Sequence, residues 1–156
     1  MIIVEYKPVH IEIDIHNVYD CLHLSPNVED IVMMRVEGRD VVYFRHVKLN
    51  LYFGVMEDGA GRLIILSNVK GNYSNIVHTI KRLIRQYYTI SLTLKILRKL
   101  GLNPKISMRS HRFIEAEGVR IEVYIEKIRV TCINEELLCK IAEALNQHGL
   151  KLQELK

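Results

Sequence analysis

The sequence predicts an α+β fold: an antiparallel sheet built of hairpins and a meander, with a long central helix and a C-terminal helix packed on one face. Three observations predict it. Apolar and polar residues alternate over several short stretches before Val69 and again after Pro104, which is the period of a half-buried strand. Between those stretches apolar residues recur every three or four positions for about 27 residues, the period of a helix. A shorter helical repeat follows Asn134 and stops at Gly149.

Val9, Ile11, Ile13 and Ile15 alternate with His10, Glu12, Asp14 and His16, so the spacing predicts a strand through this segment. Ser25-Pro26-Asn27 breaks regular structure and leaves room only for a short helix near Tyr19 to Leu24. From Asp30 to Val69 the chain reads as three or four strands, turned at Glu37-Gly38-Arg39-Asp40 and at Glu57-Asp58-Gly59-Ala60-Gly61. The longest of them is expected to place Val47, Leu49, Leu51, Phe53 and Val55 on one face, opposite His46, Lys48, Asn50 and Tyr52.

Asn72 or Ser74 can cap the long helix, whose apolar positions are Ile76, Ile80, Leu83, Tyr87, Ile90, Leu94 and Leu97. Gly101 is expected to end it, and Asn103-Pro104 cannot continue it. A kink or break is expected near Thr89 to Thr93. Tyr88, Leu92 and Ile96 make the middle of this helix apolar nearly all round, which predicts cover on both sides and suggests a homo-oligomer formed through it. Lys105 to Ala116 and Val119 to Cys132 read as strands around Ala116-Glu117-Gly118, with a second turn or bulge at Glu126-Lys127. Asn134 caps the last helix, with Glu135 and Glu136 in its first turn, and Leu150 to Lys156 is a tail or edge strand.

Glu37-Gly38 followed by Tyr43 to Leu49 parallels Glu117-Gly118 followed by Tyr124 to Val130, and each segment precedes a helix. The chain is expected to be one domain over residues 1–156, built of two unequal strand-rich parts, 1–101 and 102–156, each closed by a helix. With Leu97-Arg98-Lys99-Leu100-Gly101-Leu102 running into a strand, the order resembles one half of the TATA-binding-protein fold, or a ferredoxin-like arrangement. The resemblance is one of architecture and implies no function.

Composition bounds the function classes. The chain has 156 residues, 49% of them hydrophobic and 26% charged, which is enough to build a core without staples and too apolar for disorder. No uncharged run approaches the roughly 18 residues of a membrane span, and the first residues lack a basic leader, so a cytoplasmic location is expected. Cys21, Cys132 and Cys139 have no paired spacing and are expected to be buried thiols. Abundant Ile, Val, Lys, Arg and Glu with no Trp is the composition expected of a thermophile.

Charge is segregated along the chain. No Asp or Glu occurs from Gly59 to Ile114, a stretch that holds eleven Lys and Arg. Residues 1–58 carry five bases and ten acids, and residues 115–156 carry six and eight. Lys81, Arg82 and Arg85 lie near one end of the long helix and Lys95, Arg98 and Lys99 near the other, about 21 Å away. The strand after it is expected to add Lys105 and Arg109 on one face and Arg112 on the other, with Tyr87, Tyr88 or Phe113 placed to stack on bases. Such a surface suits nucleic acid or an acidic protein partner. No nucleophile motif, phosphate loop or dinucleotide fingerprint is present, so a non-catalytic binding or assembly module without a cofactor is expected. The alternative is a small metal-dependent enzyme in which His10, Glu12, Asp14 and His16 project from one strand face as nitrogen and oxygen ligands.

Overall fold

A computed structural model describes residues 1–59, 62–67, 74–107 and 112–155. Among them are three helices and ten strands, all paired antiparallel, in the order β1 (Ile2–Ile11), α1 (Ile15–Leu22), β2 (Val28–Val36), β3 (Arg39–His46), β4 (Leu51–Glu57), β5 (Leu63–Ser67), α2 (Ser74–Lys99), β6 (Lys105–Ile106), β7 (Phe113–Ala116), β8 (Val119–Val123), β9 (Ile128–Cys132), α3 (Glu135–Gln147) and β10 (Leu150–Glu154). The α+β class, the long helix and the C-terminal helix are as expected. The strands form two sheets rather than one: six ordered β10-β1-β9-β8-β7-β6, and four ordered β2-β3-β4-β5. Two compact units follow, one of Met1–Glu12 with Thr89–Lys156 and one of Ile13–Tyr88, so the division falls inside α2 and not at Gly101.

In the unit of Ile13–Tyr88, β2 to β5 form a meander. Val42, Phe44, Phe53 and Val55 are buried on one face of it, with the Phe44 and Phe53 ring centroids 5.7 Å apart and the rings tilted by 30°. Helix α1 packs against β2, β3 and β4 and buries Ile15, Val18, Cys21 and Leu22. Burial pushes the Cys21 thiol up to about 12, so it stays protonated and acts as a small apolar group. The expected long strand through Val47 and Leu49 is a correction: β3 stops at His46, the chain turns through 47–50 with Asn50 at φ 52, and β4 starts at Leu51. Buried His46 holds this turn, since its Nδ1 accepts from the Leu49 N–H at 3.1 Å. That bond needs the neutral ring, and burial followed by the nearby Lys48 charge lowers the His46 pKa.

In the other unit, β1 lies between β9 and β10, so the first strand of the chain is held by its last two. The Glu126-Lys127 turn is present, with the Tyr124 N–H donating to the Lys127 carbonyl, and Gly118 turns β7 into β8 at φ 75. Asn134 Oδ1 accepts from the Leu137 N–H at 2.8 Å, capping α3, which packs on β9 and β10 and buries Leu138, Ile141 and Leu145. Cys132 is buried as expected, whereas Cys139 is exposed on α3, because the stripe that faces the sheet runs through Leu138, Ile141 and Leu145 instead.

Helix α2 ends where the sequence predicts. Gly101 takes φ 82, the Leu102 N–H reaches the Leu97 carbonyl and the Gly101 N–H that of Arg98, the two bonds of a Schellman cap. Asn72 lies outside the described residues. Helix α2 is unbroken between Thr89 and Thr93, where buried Thr93 donates its hydroxyl to the Thr89 carbonyl at 2.7 Å, which satisfies the side chain inside the helix. The mid-helix residues Tyr87 to Ile90, Thr93, Leu94, Ile96 and Leu97 are buried within a single chain.

Candidate polyanion-binding surface

Helix α2 carries six of the candidate bases. At 100° per residue, Lys81, Arg85, Lys95 and Lys99 fall within about 40° of one line along the helix, with Arg82 and Arg98 to either side. Lys81, Arg85, Lys95, Arg98 and Lys99 are exposed and Arg82 is half-buried. Lys81, Arg82 and Arg85 belong to the unit of Ile13–Tyr88, and Lys95, Arg98 and Lys99 to the other. The latter unit also holds exposed Lys105 and Arg112.

These bases differ in what holds them. The Lys99 ammonium lies 2.8 Å from Nε2 of His148, whose Nδ1 is 2.8 Å from the Ala144 carbonyl. Because Nδ1 must donate to that carbonyl, Nε2 accepts from Lys99. Arg82, Arg85, Lys95 and Arg112 each interact elsewhere in the chain. The side chains of Lys81, Arg98 and Lys105 make no hydrogen bond or ion pair with another described residue. Arg98 and Lys99 also occupy the last turn, where unsatisfied carbonyls favour positive charge.

The acid-rich flanks engage bases outside α2. Glu5 pairs with Lys127 and Arg129, Glu122 with Arg129, Glu115 with Arg120, Glu136 with Lys140, Asp40 with Arg35 and His16, and Glu29 and Asp30 with Arg45. The bond from Lys127 is the main reason that the Glu5 pKa is lowered. Tyr124 donates to Glu122, and that bond pushes the phenol pKa up.

Three expectations are corrected. The strand after α2 is not continuous: β6 pairs back on β7, with Lys105 opposite Glu115 and Ile106 opposite Ile114, so Lys105 and Arg112 lie on opposite arms of a reversal. Arg109 lies outside the described residues. Tyr87 and Tyr88 are buried and unavailable to stack on bases; Tyr88 Oη instead accepts from the Asp14 N–H at 3.2 Å and Asn17 Nδ2 at 3.4 Å. Phe113 is half-buried, with the Arg120 guanidinium 4.4 Å from its ring centroid.

The metal-ligand face is the third. Strand β1 ends at Ile11, Asp14 caps α1 by accepting from the His16 N–H at 3.1 Å, and His16 is helical. His10, Glu12, Asp14 and His16 therefore do not share a strand face, because the alternation through Ile13 and Ile15 merges with the helical repeat Ile15, Val18, Leu22. His16 Nε2 lies 3.4 Å from Asp40 instead. Among the described residues no three His, Cys, Asp or Glu side chains gather to hold a metal ion.

Two features escaped the sequence reading. His46 has no motif; its role comes from the turn beside it. The outer face of the four-stranded sheet carries exposed Val32, Met34, Val36, Tyr52, Ile64 and Leu66. Its only signal is the run Ile31-Val32-Met33-Met34, which is apolar on both parities. Among the described residues no helix is long and apolar enough to cross a membrane. Comparison with protein-family models, with curated proteins and with solved structures finds no match.

Proposed function

We propose that the chain is a non-catalytic module that binds nucleic-acid phosphates through the basic end of α2 and the segment after it. The observation that carries the reading is the exposure of Lys95, Arg98, Lys99, Lys105 and Arg112 within one unit, while eight carboxylates of the acidic flanks are engaged by bases outside α2. Phosphate contacts of this kind release counterions, so affinity falls as salt rises. With Tyr87 and Tyr88 buried and no exposed aromatic ring among the described residues of this surface, recognition rests on charge and carries little base specificity.

The test is binding of single- and double-stranded DNA and RNA across a salt series. Use of all five bases on a duplex corresponds to a log–log slope of about −4.5, and a Lys95→Ala/Lys99→Ala variant is expected to flatten it by about 1.8. No binding at low salt, or a slope near zero, would sink the proposal.

A further inference from the structure

We infer that the outer face of the β2-β3-β4-β5 sheet is a homodimer interface that takes the same face of a second copy of this chain. The face is defined by the strand register. Val32 lies opposite Tyr43, Met34 opposite Val41, Tyr43 opposite Gly54, and Gly54 opposite Leu66, while Met56 lies opposite Ile64. Directly opposed residues point to the same side, so these side chains form one sheet surface. The reverse side holds the buried Val42, Phe44, Phe53 and Val55.

The surface is apolar, with Val41 buried in it and the side chains around it exposed. Val32, Met34, Val36, Tyr52, Ile64 and Leu66 are 36–59% exposed, and all six sit on it. Its centre is flat, because Gly54 has no side chain and the Tyr43 ring lies across it: a Cβ added there would meet Tyr43 Cε1 at 3.0 Å. An antiparallel sheet normally presents alternating polar residues on its solvent side. This one presents branched aliphatics, methionine and tyrosine.

Area and charge select a second copy as the occupant. The six side chains offer on the order of 500 Å² of apolar surface, at the upper end of what a monomer leaves exposed. With the surrounding rim the face approaches the roughly 800 Å² per partner of a stable complex. The charges on the face are placed at opposite ends of the β2–β3 pair: Glu29 lies opposite Arg45, and Arg39 lies opposite Val36. Glu29 is held by Arg45, whereas the Arg39 side chain makes no hydrogen bond or ion pair with another described residue. A twofold axis between two such sheets, perpendicular to the strands, lays β2 over β2 in antiparallel directions. Each Arg39, at the start of β3, then approaches the far end of β3 in the second copy, where Arg45 is held between the carboxylates of Glu29 and Asp30, and the apolar stripes coincide, as an isologous interface requires. Polyanion does not suit this face, since the Arg45 charge is already neutralised by Glu29 and Asp30.

The experiment is sedimentation equilibrium of the full chain up to about 100 µM. A dimer is expected, with Met34→Glu or Leu66→Glu raising the dissociation constant about a hundredfold by burying an unpaired charge, and Arg39→Glu raising it about tenfold. All three glutamate substitutions are at exposed positions, and circular dichroism verifies that each variant folds; Ile64→Lys replaces one that does not. A monomer throughout the range overturns the inference, as does a dimer that Met34→Glu and Leu66→Glu leave unchanged. A monomer whose tyrosine fluorescence changes only when single-stranded oligonucleotide is added overturns it in favour of a stacking surface.

Discussion

Removing one hydroxyl separates the structural role of Tyr88 from the stacking role that its neighbourhood of bases suggests. Tyr88 is buried, and its Oη accepts from the Asp14 N–H at 3.2 Å and from Asn17 Nδ2 at 3.4 Å. Tyr88→Phe keeps the ring and its packing but deletes the one acceptor that both bonds share. The Asn17 amide can turn to water, whereas the Asp14 N–H precedes the first turn of α1 and loses its acceptor at a partly buried position. A typical hydrogen bond contributes about 1 kcal/mol and an orphaned partly buried donor costs about 1–3 kcal/mol, so the two long bonds here lead to an expected loss of about 1–2 kcal/mol. In urea titration that corresponds to a midpoint lowered on the order of 0.5–1 M. Nucleic-acid affinity per folded molecule is expected to be unchanged. A variant with wild-type stability and weakened binding would refute both the burial argument and the assignment of Tyr88 to the α1 junction.

Asn134→Ala removes the acceptor for the Leu137 N–H and is expected to cost about 1 kcal/mol, measured by urea unfolding; an unchanged midpoint would show that the α3 cap contributes nothing. His46 makes stability depend on pH. Its folded pKa lies below the ordinary 6.5, so the unfolded chain takes up the proton first. The contribution is therefore complete above about pH 6.5 and shrinks as pH falls from there toward the depressed folded value. Urea midpoints at about pH 7.5 and about pH 5 are expected to differ more for wild type than for His46→Gln, and equal differences would rule out His46 as the source.

What the sequence makes legible depends on how local the interaction is. The Gly101 stop, the Asn134 cap and the Ala116-Glu117-Gly118 turn were predictable because each is settled within about five residues, and the structure satisfies the first two with named bonds and the third with Gly118 at φ 75. The errors sit where two periods overlap. Ile13 and Ile15 extend the alternation of β1 while Ile15 opens the helical repeat of α1, so the apparent strand face of His10, Glu12, Asp14 and His16 is an accident of phase. The same happens at 47–50, where Val47 and Leu49 keep strand parity through a turn whose cause, the buried ring of His46, lies outside any periodicity. The candidate site shows a further limit. Charge along α2 was readable because a helix converts spacing into a face, but Lys105 and Arg112 could not be placed by spacing once the chain reversed between them. Pairing at the greatest separation was the least legible of all: no local pattern says that β1 belongs between β9 and β10. That placement draws the acidic Glu5 into contact with Lys127 and Arg129, far along the chain. The sequence's acidic flanks could have folded against the basic helix, and it is this long-range strand pairing that instead gives Glu5 other partners.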